Sequence, residues 1–171
     1  GKSDVSIFRP DAGLWYYLNS SNGSAGGVAF GAPGDIPVPG DFDGDGKTDT
    51  AVFRPADGVW HLLTKAGVYT SRAFGSSGDI PVAADYNNDG KTDLAVFRPS
   101  NSVWYIANSD SQGTFTFVQF GQAGDKPAPA DYDGDGKADI AVFRPAGATG
   151  TEWWVQKSSG GVFATQFGVS S

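Results

Sequence analysis

The sequence predicts an all-β fold of four tandem units, each about 45 residues long, and three observations carry that prediction. The tripeptide Phe-Arg-Pro begins at Phe8, Phe53, Phe97 and Phe143, at intervals of 45, 44 and 46 residues. Each interval holds four short apolar runs parted by Gly, Pro, Asn and Asp, which is the pattern of strands joined by turns. No apolar period of 3.6 persists for three turns, and 25 Gly with 10 Pro in 171 residues leave helix propensity poor throughout.

Within the second unit, strands are predicted over Ile36 to Phe42, Thr50 to Arg54, Val59 to Thr64 and Val68 to Phe74. Four antiparallel strands in this length match a β-propeller blade, whose sheet packs face to face with its neighbours around an axis. A solenoid is the less natural alternative at this repeat length. Coverage on both faces explains why Ala51-Val52-Phe53, Ala95-Val96-Phe97 and Ala141-Val142-Phe143 are apolar at consecutive positions instead of alternating. Pro37 and Pro39 cannot donate to a ladder on both sides, so the first strand of a blade belongs at an edge. The expected division is a partial blade over 1–31 and whole blades over 32–75, 76–121 and 122–171, three complete and one lacking its first strand. Gly1-Lys2-Ser3-Asp4 aligns with Gly46-Lys47-Thr48-Asp49, so the chain is expected to be a section of a larger propeller or to be completed by another chain.

Charge and composition narrow the chemistry. Acidic residues outnumber basic ones 19 to 12, so the basic footprint that holds a phosphate backbone is missing and nucleic acid is not an expected partner. No apolar run is long enough to span a bilayer and no basic amphipathic segment would lie on one, so membrane insertion is not expected either. With no cysteine and a single histidine, His61, the sequence offers no disulfide, iron–sulfur or thiolate-zinc site. Any bound metal must be held by oxygen.

Oxygen is concentrated in three nine-residue stretches, Asp41 to Asp49, Asp85 to Asp93 and Asp131 to Asp139. They hold 11 of the 19 acidic residues, and like charges gathered this closely are unfavourable unless a cation sits among them. Side-chain oxygens at positions 1, 3 and 5, a backbone carbonyl at 7, a carboxylate at 9 and glycine at 6 for the sharp turn describe a loop folded around calcium. Magnesium would favour fewer carboxylates and more water. An EF-hand requires a glutamate at position 12, where Val52, Val96 and Val142 stand, and helices where strands are predicted. A phosphate-cradling loop is suggested by Gly46-Lys47-Thr48 and Gly90-Lys91-Thr92, but Asp41 and Asp85 replace its leading glycine. Plain turns explain the composition without explaining a ligand spacing kept three times.

The Phe-Gly pairs at Phe30, Phe74, Phe120 and Phe167, the Asp-x-Asp-x-Asp-Gly-x-x-Asp loop and the Ala-Val-Phe-Arg-Pro strand together resemble the FG-GAP, or VCBS-type, repeat, related to the calcium-bearing blades of the integrin α-subunit propeller. The resemblance implies a propeller with Ca2+ in the loop joining the first and second strands of a blade. It implies three sites: Asp41, Asp43, Asp45 and Asp49 with the carbonyl of Lys47; Asp85, Asn87, Asp89 and Asp93 with that of Lys91; and Asp131, Asp133, Asp135 and Asp139 with that of Lys137. Lys2 and Asp4 are the remnant of a partial fourth site. Asn87 leaves the second loop one charge poorer, so it is expected to hold calcium most weakly. The resemblance further implies a secreted or cell-surface setting and a role in adhesion, recognition or carbohydrate binding.

Four tryptophans, Trp15, Trp60, Trp104 and Trp154, are read as repeat-phased core, whereas Trp153 breaks the phase beside an insertion near 147–152 and is the candidate contact for a glycan or protein ligand. Arg9, Arg54, Arg98 and Arg144 are expected to act structurally, pairing with Asp35, Asp79 and Asp125 of the Gly-Asp-x-Pro elements. No nucleophile–base pair or cofactor motif stands outside the loops; Asp110 and Glu152 are the loosely available carboxylates, and catalysis is not expected. The sequence thus reads as an extracellular calcium-binding repeat module for adhesion, recognition or assembly. The alternatives are a filament-forming protein completed by neighbouring copies, and a lectin-like module or part of a polysaccharide-active enzyme.

Overall fold

The computed structural model describes residues 4–109, 115–147 and 150–167. It is all-β, with no helix among the described residues, and its strands form four antiparallel sheets in the succession of propeller blades. The first sheet holds β1 (Val5–Arg9), β2 (Leu14–Leu18) and β3 (Ala25–Ala29). The second holds β4 (Ile36–Pro37), β5 (Thr50–Arg54), β6 (Val59–Leu63) and β7 (Tyr69–Ala73). In the third are β8 (Ile80–Pro81), β9 (Leu94–Arg98), β10 (Val103–Ala107) and β11 (Thr116–Gln119), and in the fourth β12 (Lys126–Pro127), β13 (Ile140–Gly147), β14 (Gly150–Gln156) and β15 (Val162–Gln166). Every sheet is a meander, each strand pairing with the next in sequence.

The first strand of each whole blade is much shorter than its apolar run. Only Ile36–Pro37 pairs with β5, followed by a hydrogen bond from the Val38 amide to the Ala51 carbonyl (2.9 Å) and an isolated bridge between Gly40 and Asp49. Pro37 and Pro39 remove every second donor, and the ladder cannot continue through them.

Tight turns join β1 to β2 and β5 to β6 through Gly13 and Gly58, with φ of 59° and 69°. A Cβ at Gly58 would lie 2.5 Å from the carbonyl oxygen of Gly75, the glycine of the Phe-Gly pair. The third blade uses Ser102 at this position, at φ 55°, and its carbonyl still accepts the Phe120 amide (2.9 Å) as those of Gly13 and Gly58 accept the amides of Phe30 and Phe74.

Alternation along the strands gives each sheet two different faces. Phe53 on β5 stands opposite Trp60 on β6, and this pair packs on Leu94, Val96 and Ala107 of the next sheet. Phe97 and Trp104 pack in the same way on Ile140 and Val142. A Phe–Trp face therefore meets an aliphatic face at successive boundaries, and Ala51, Val52 and Phe53 are all fully buried. Three indoles share one acceptor pattern: Trp15, Trp60 and Trp104 donate Nε1–H to the carbonyls of Phe30, Phe74 and Phe120 at 2.9, 2.8 and 3.0 Å.

The fourth blade corrects the tryptophan phase. Trp153, not Trp154, is the partner of Phe143, with ring centroids 5.3 Å apart against 5.2 Å for Phe53–Trp60. The β13–β14 hairpin carries a register shift between Arg144 and Gly147, and the lengthened hairpin moves the phased position back by one relative to the sequence alignment. Trp153 is half-buried on Phe143. Trp154 lies opposite Val142 and packs on the core shared with the third blade, under the Arg144 guanidinium (5.1 Å) and donating to Glu152 (2.9 Å).

Three of the four repeated arginines, Arg54, Arg98 and Arg144, pair with Asp35, Asp79 and Asp125 as expected. Arg54 Nε and Nη2 donate to the two oxygens of Asp35 at 2.8 and 3.0 Å, and Arg98–Asp79 and Arg144–Asp125 repeat this fork. The same aspartates cap the turn before them: Asp35, Asp79 and Asp125 accept the amides of Ala32, Ser76 and Gln122. The guanidinium of Arg9 lies 5.0 Å above Tyr16 and that of Arg98 4.6 Å above Tyr105. By register His61 occupies the position of Tyr16, Tyr105 and Trp154, and its Nδ1 lies 2.9 Å from the Tyr69 hydroxyl.

Candidate metal centre

Three aspartate loops join the short first strand of a blade to its second strand. Position 1 shapes the loop from inside: Asp41 accepts the Gly44 amide on Oδ1 (2.7 Å) and the Gly46 amide on Oδ2 (2.8 Å). Asp85 takes Asn88 and Gly90, and Asp131 takes Gly134 and Gly136, in the same way. Gly46, Gly90 and Gly136 at position 6 have φ of 78°, 82° and 90°, a conformation open to glycine without strain.

These folds bring carboxylates together. Oxygens of Asp41, Asp43 and Asp49 lie within 4.8 Å of one another, and so do those of Asp131, Asp133 and Asp139. In the second loop Asn87 replaces the carboxylate at position 3, and its amide nitrogen donates to Asp89 (3.1 Å). Position 5 is turned toward its own loop: Asp45 accepts the Lys47 amide (2.9 Å) and pairs with the Lys47 ammonium (3.1 Å), which holds its carboxyl below the ordinary value.

Position 9 does something the sequence did not foretell. Asp49, Asp93 and Asp139 are buried, and each is held by two backbone amides. One oxygen accepts from position 2, at Phe42, Tyr86 or Tyr132, and the other from the hairpin between the third and fourth strands of the blade, at Lys65, Ser109 or Ser158 (2.8, 2.6 and 2.7 Å). Burial pushes the Asp93 carboxyl above its ordinary value despite those amides. Asp4 keeps the same link, accepting the Ser20 amide at 2.8 Å, so the remnant loop retains its staple; Lys2 lies outside the described residues.

The hairpin also lends hydroxyls. Ser109 Oγ donates to Asp89, Ser158 Oγ to Asp135 and Ser159 Oγ to Asp133, and the first two bonds hold the Asp89 and Asp135 carboxyls below their ordinary values. Ser20 Oγ donates to Asp4 as well, so a serine stands here in three blades and Lys65 in the second; sequence reasoning missed these serines because they lie 16 or more residues from the aspartates they meet. Adjacent loops touch as well: the Asp41 carbonyl accepts the Thr92 amide (2.6 Å), and the Asp85 carbonyl that of Ala138 (2.7 Å).

The FG-GAP-like repeat model matches residues 41–96 and 85–142, and the FG-GAP repeat model matches residues 123–162. The chain belongs to the FG-GAP-like repeat family. No curated protein matches this FG-GAP chain. Among solved structures, a streptogramin B lyase superposes with a TM-score of 0.60 at 13% identity, over 95% of this chain and 50% of that one. A virginiamycin B lyase from Staphylococcus aureus gives 0.59 at 13% identity, over 96% and 67%. The FG-GAP chain thus spans half the length of the first of these, and the likeness is one of fold.

A cation would satisfy one buried atom of the third FG-GAP loop. Oδ1 of Asp133 is buried and has no hydrogen-bond partner, while its other oxygen is taken by Ser159. A buried carboxylate oxygen without a donor is unfavourable, and it stands within the cluster of Asp131 and Asp139. Elsewhere, Glu152 is occupied by Trp154 and lies 3.6 Å from Arg144, and Asp110 falls outside the described residues.

Proposed function

We propose that the three FG-GAP loops bind calcium and that the chain is an extracellular repeat module for recognition or assembly, with the metal in a structural role. The observation that carries this reading is the buried, unpartnered Oδ1 of Asp133 inside a nest of three aspartates. Asp41, Asp43, Asp45 and Asp49 would hold one ion, Asp131, Asp133, Asp135 and Asp139 another, each with the carbonyl of Lys47 or Lys137. Asp85, Asn87, Asp89, Asp93 and the carbonyl of Lys91 would hold a third. A bound cation supplies the positive charge that lets clustered carboxylates stay ionised, and position 9 ties that cluster to the neighbouring hairpin. An oxygen-only site without an EF-hand glutamate fits the weak range of extracellular modules, Kd about 10⁻⁴ to 10⁻³ M, which supports a setting where calcium is near millimolar.

A binding or assembly role is favoured over catalysis because Glu152 is engaged in structure and Asp35, Asp79 and Asp125 are held in arginine forks. Thermal unfolding in calcium and in excess chelator tests the metal. At about 1 mM calcium each filled site contributes roughly 0.4 to 1.4 kcal/mol, so chelation is expected to lower the melting temperature by several degrees. An unchanged melt together with no heat on calcium titration would refute the reading.

A further inference from the structure

Resting on the calcium reading above, we propose that the three loops bind calcium as a coupled row, in which ordering of one loop raises the affinity of the loop beside it.

The coupling runs through single peptide units. The carbonyl of Lys91 and the amide of Thr92 belong to one planar group, because the C–N bond between them does not rotate freely. That carbonyl is position 7 of the second loop and an expected ligand there, while that amide donates to the Asp41 carbonyl in the first loop (2.6 Å). The unit of Lys137 and Ala138 repeats the arrangement, its amide donating to the Asp85 carbonyl in the second loop (2.7 Å). Fixing the carbonyl of either unit therefore fixes the donor that the preceding loop receives. Asp41 and Asp85 are also the residues that shape their loops, since their carboxylates gather the amides of Gly44 and Gly46, and of Asn88 and Gly90. One aspartate thus joins the backbone of its own loop to that of the next.

Close packing reinforces the same two junctions. A Cβ on Gly40 would lie 2.7 Å from Thr92 Oγ1, and one on Gly44 2.9 Å from Lys91 Cε. At the other junction, a Cβ on Gly136 would lie 2.8 Å from Asn88 Nδ2. The loops interdigitate, and a displacement in one meets the other.

Coupling of this kind is positive. A loop whose carbonyl is already held by an ordered neighbour loses less freedom when its own carboxylates are gathered, so two sites share part of one ordering cost. The second loop, poorest in charge because of Asn87, touches both others and gains most.

Amide exchange read by mass spectrometry along a calcium titration follows each loop in its own peptides and tests this. Asp43→Ala disables the first site and Asp133→Ala the third; neither residue belongs to the second loop, and Asp43 is exposed, so its variant is expected to fold. The calcium midpoint of the second loop is expected to rise about five-fold in each variant, with its exchange in chelator unchanged. Gly40→Ala, which wedges the first junction against Thr92, is expected to remove the effect of Asp43→Ala and to leave that of Asp133→Ala. A second-loop midpoint that stays or falls in either variant overturns the coupling while the calcium sites stand as independent ones. Faster exchange of the second loop already in chelator overturns it as well, the effect then being structural. A parent chain in which calcium protects no loop overturns the calcium reading itself, and the coupling with it.

Discussion

Arg54 and Asp35 show how one repeated pair fixes the entry of a blade. Asp35 has a fully buried side chain, and Arg54 reaches it with both arms of its guanidinium while remaining partly in solvent. Burial alone would raise the Asp35 carboxyl; the bonds from Arg54 and the Ala32 amide outweigh it, and the net shift is downward. A carboxylate with a lowered folded pKa contributes stability that is complete above its unfolded value, near 3.9, and is lost as pH falls through the folded value. Arg54→Met leaves that carboxylate with one amide donor. Since Arg54 is partly exposed, the expected loss is about 2 to 3 kcal/mol at neutral pH, below the full effect of breaking a buried pair. Urea unfolding at neutral pH and again near pH 3 checks it, the difference between variant and parent shrinking in acid. The pairing itself was legible in the sequence, because Arg and Gly-Asp-x-Pro recur in one register. The tryptophan phase was not, because Trp153 and Trp154 are adjacent and only the paired hairpin shows which one faces Phe143.

At the scale of elements, the aspartate loop proves to be two devices in one. Positions 1 and 9 take backbone amides and build the loop, and in the first and third loops their oxygens gather with those of position 3, while position 5 turns to partners of its own. Asn87 stands at position 3 of the second loop and spends its amide nitrogen on Asp89, so that loop presents one carboxylate fewer. Its affinity for calcium is expected to be the lowest of the three, by roughly ten-fold, and Asn87→Asp is expected to bring it level with the others. Isothermal titration of parent and variant reads this as the merging of a weak class of site into a stronger one; three equal sites in the parent would contradict it. The ligand spacing could be read from the chain because positions 1, 3, 5, 7 and 9 lie within one turn of backbone. The hairpin contacts of Lys65, Ser109 and Ser158 could not, since they bridge 16 to 19 residues and depend on how the sheet returns.

Over the whole molecule, burial is unequal along the row of blades. β5, β6, β9 and β10 are covered on both faces, whereas Val5, Ile7 and Leu18 of the first sheet, and Val162 of the last, lie open. Repeat proteins of this kind are stabilised mainly by nearest-neighbour interfaces, so an end blade has half the support of an inner one. Amide exchange is expected to be slowest in β5, β6, β9 and β10 and faster by about ten-fold or more in β1 to β3, as measured by mass spectrometry. Uniform protection along the chain would contradict this. The sequence alone determined the all-β class, the repeat length and the places of the aspartate loops, because strand alternation, turn residues and carboxylate spacing are local properties written within a few residues. Tertiary structure decided which tryptophan pairs with Phe143, which hairpin closes each loop and which faces remain open, because those outcomes depend on packing between residues far apart in the chain.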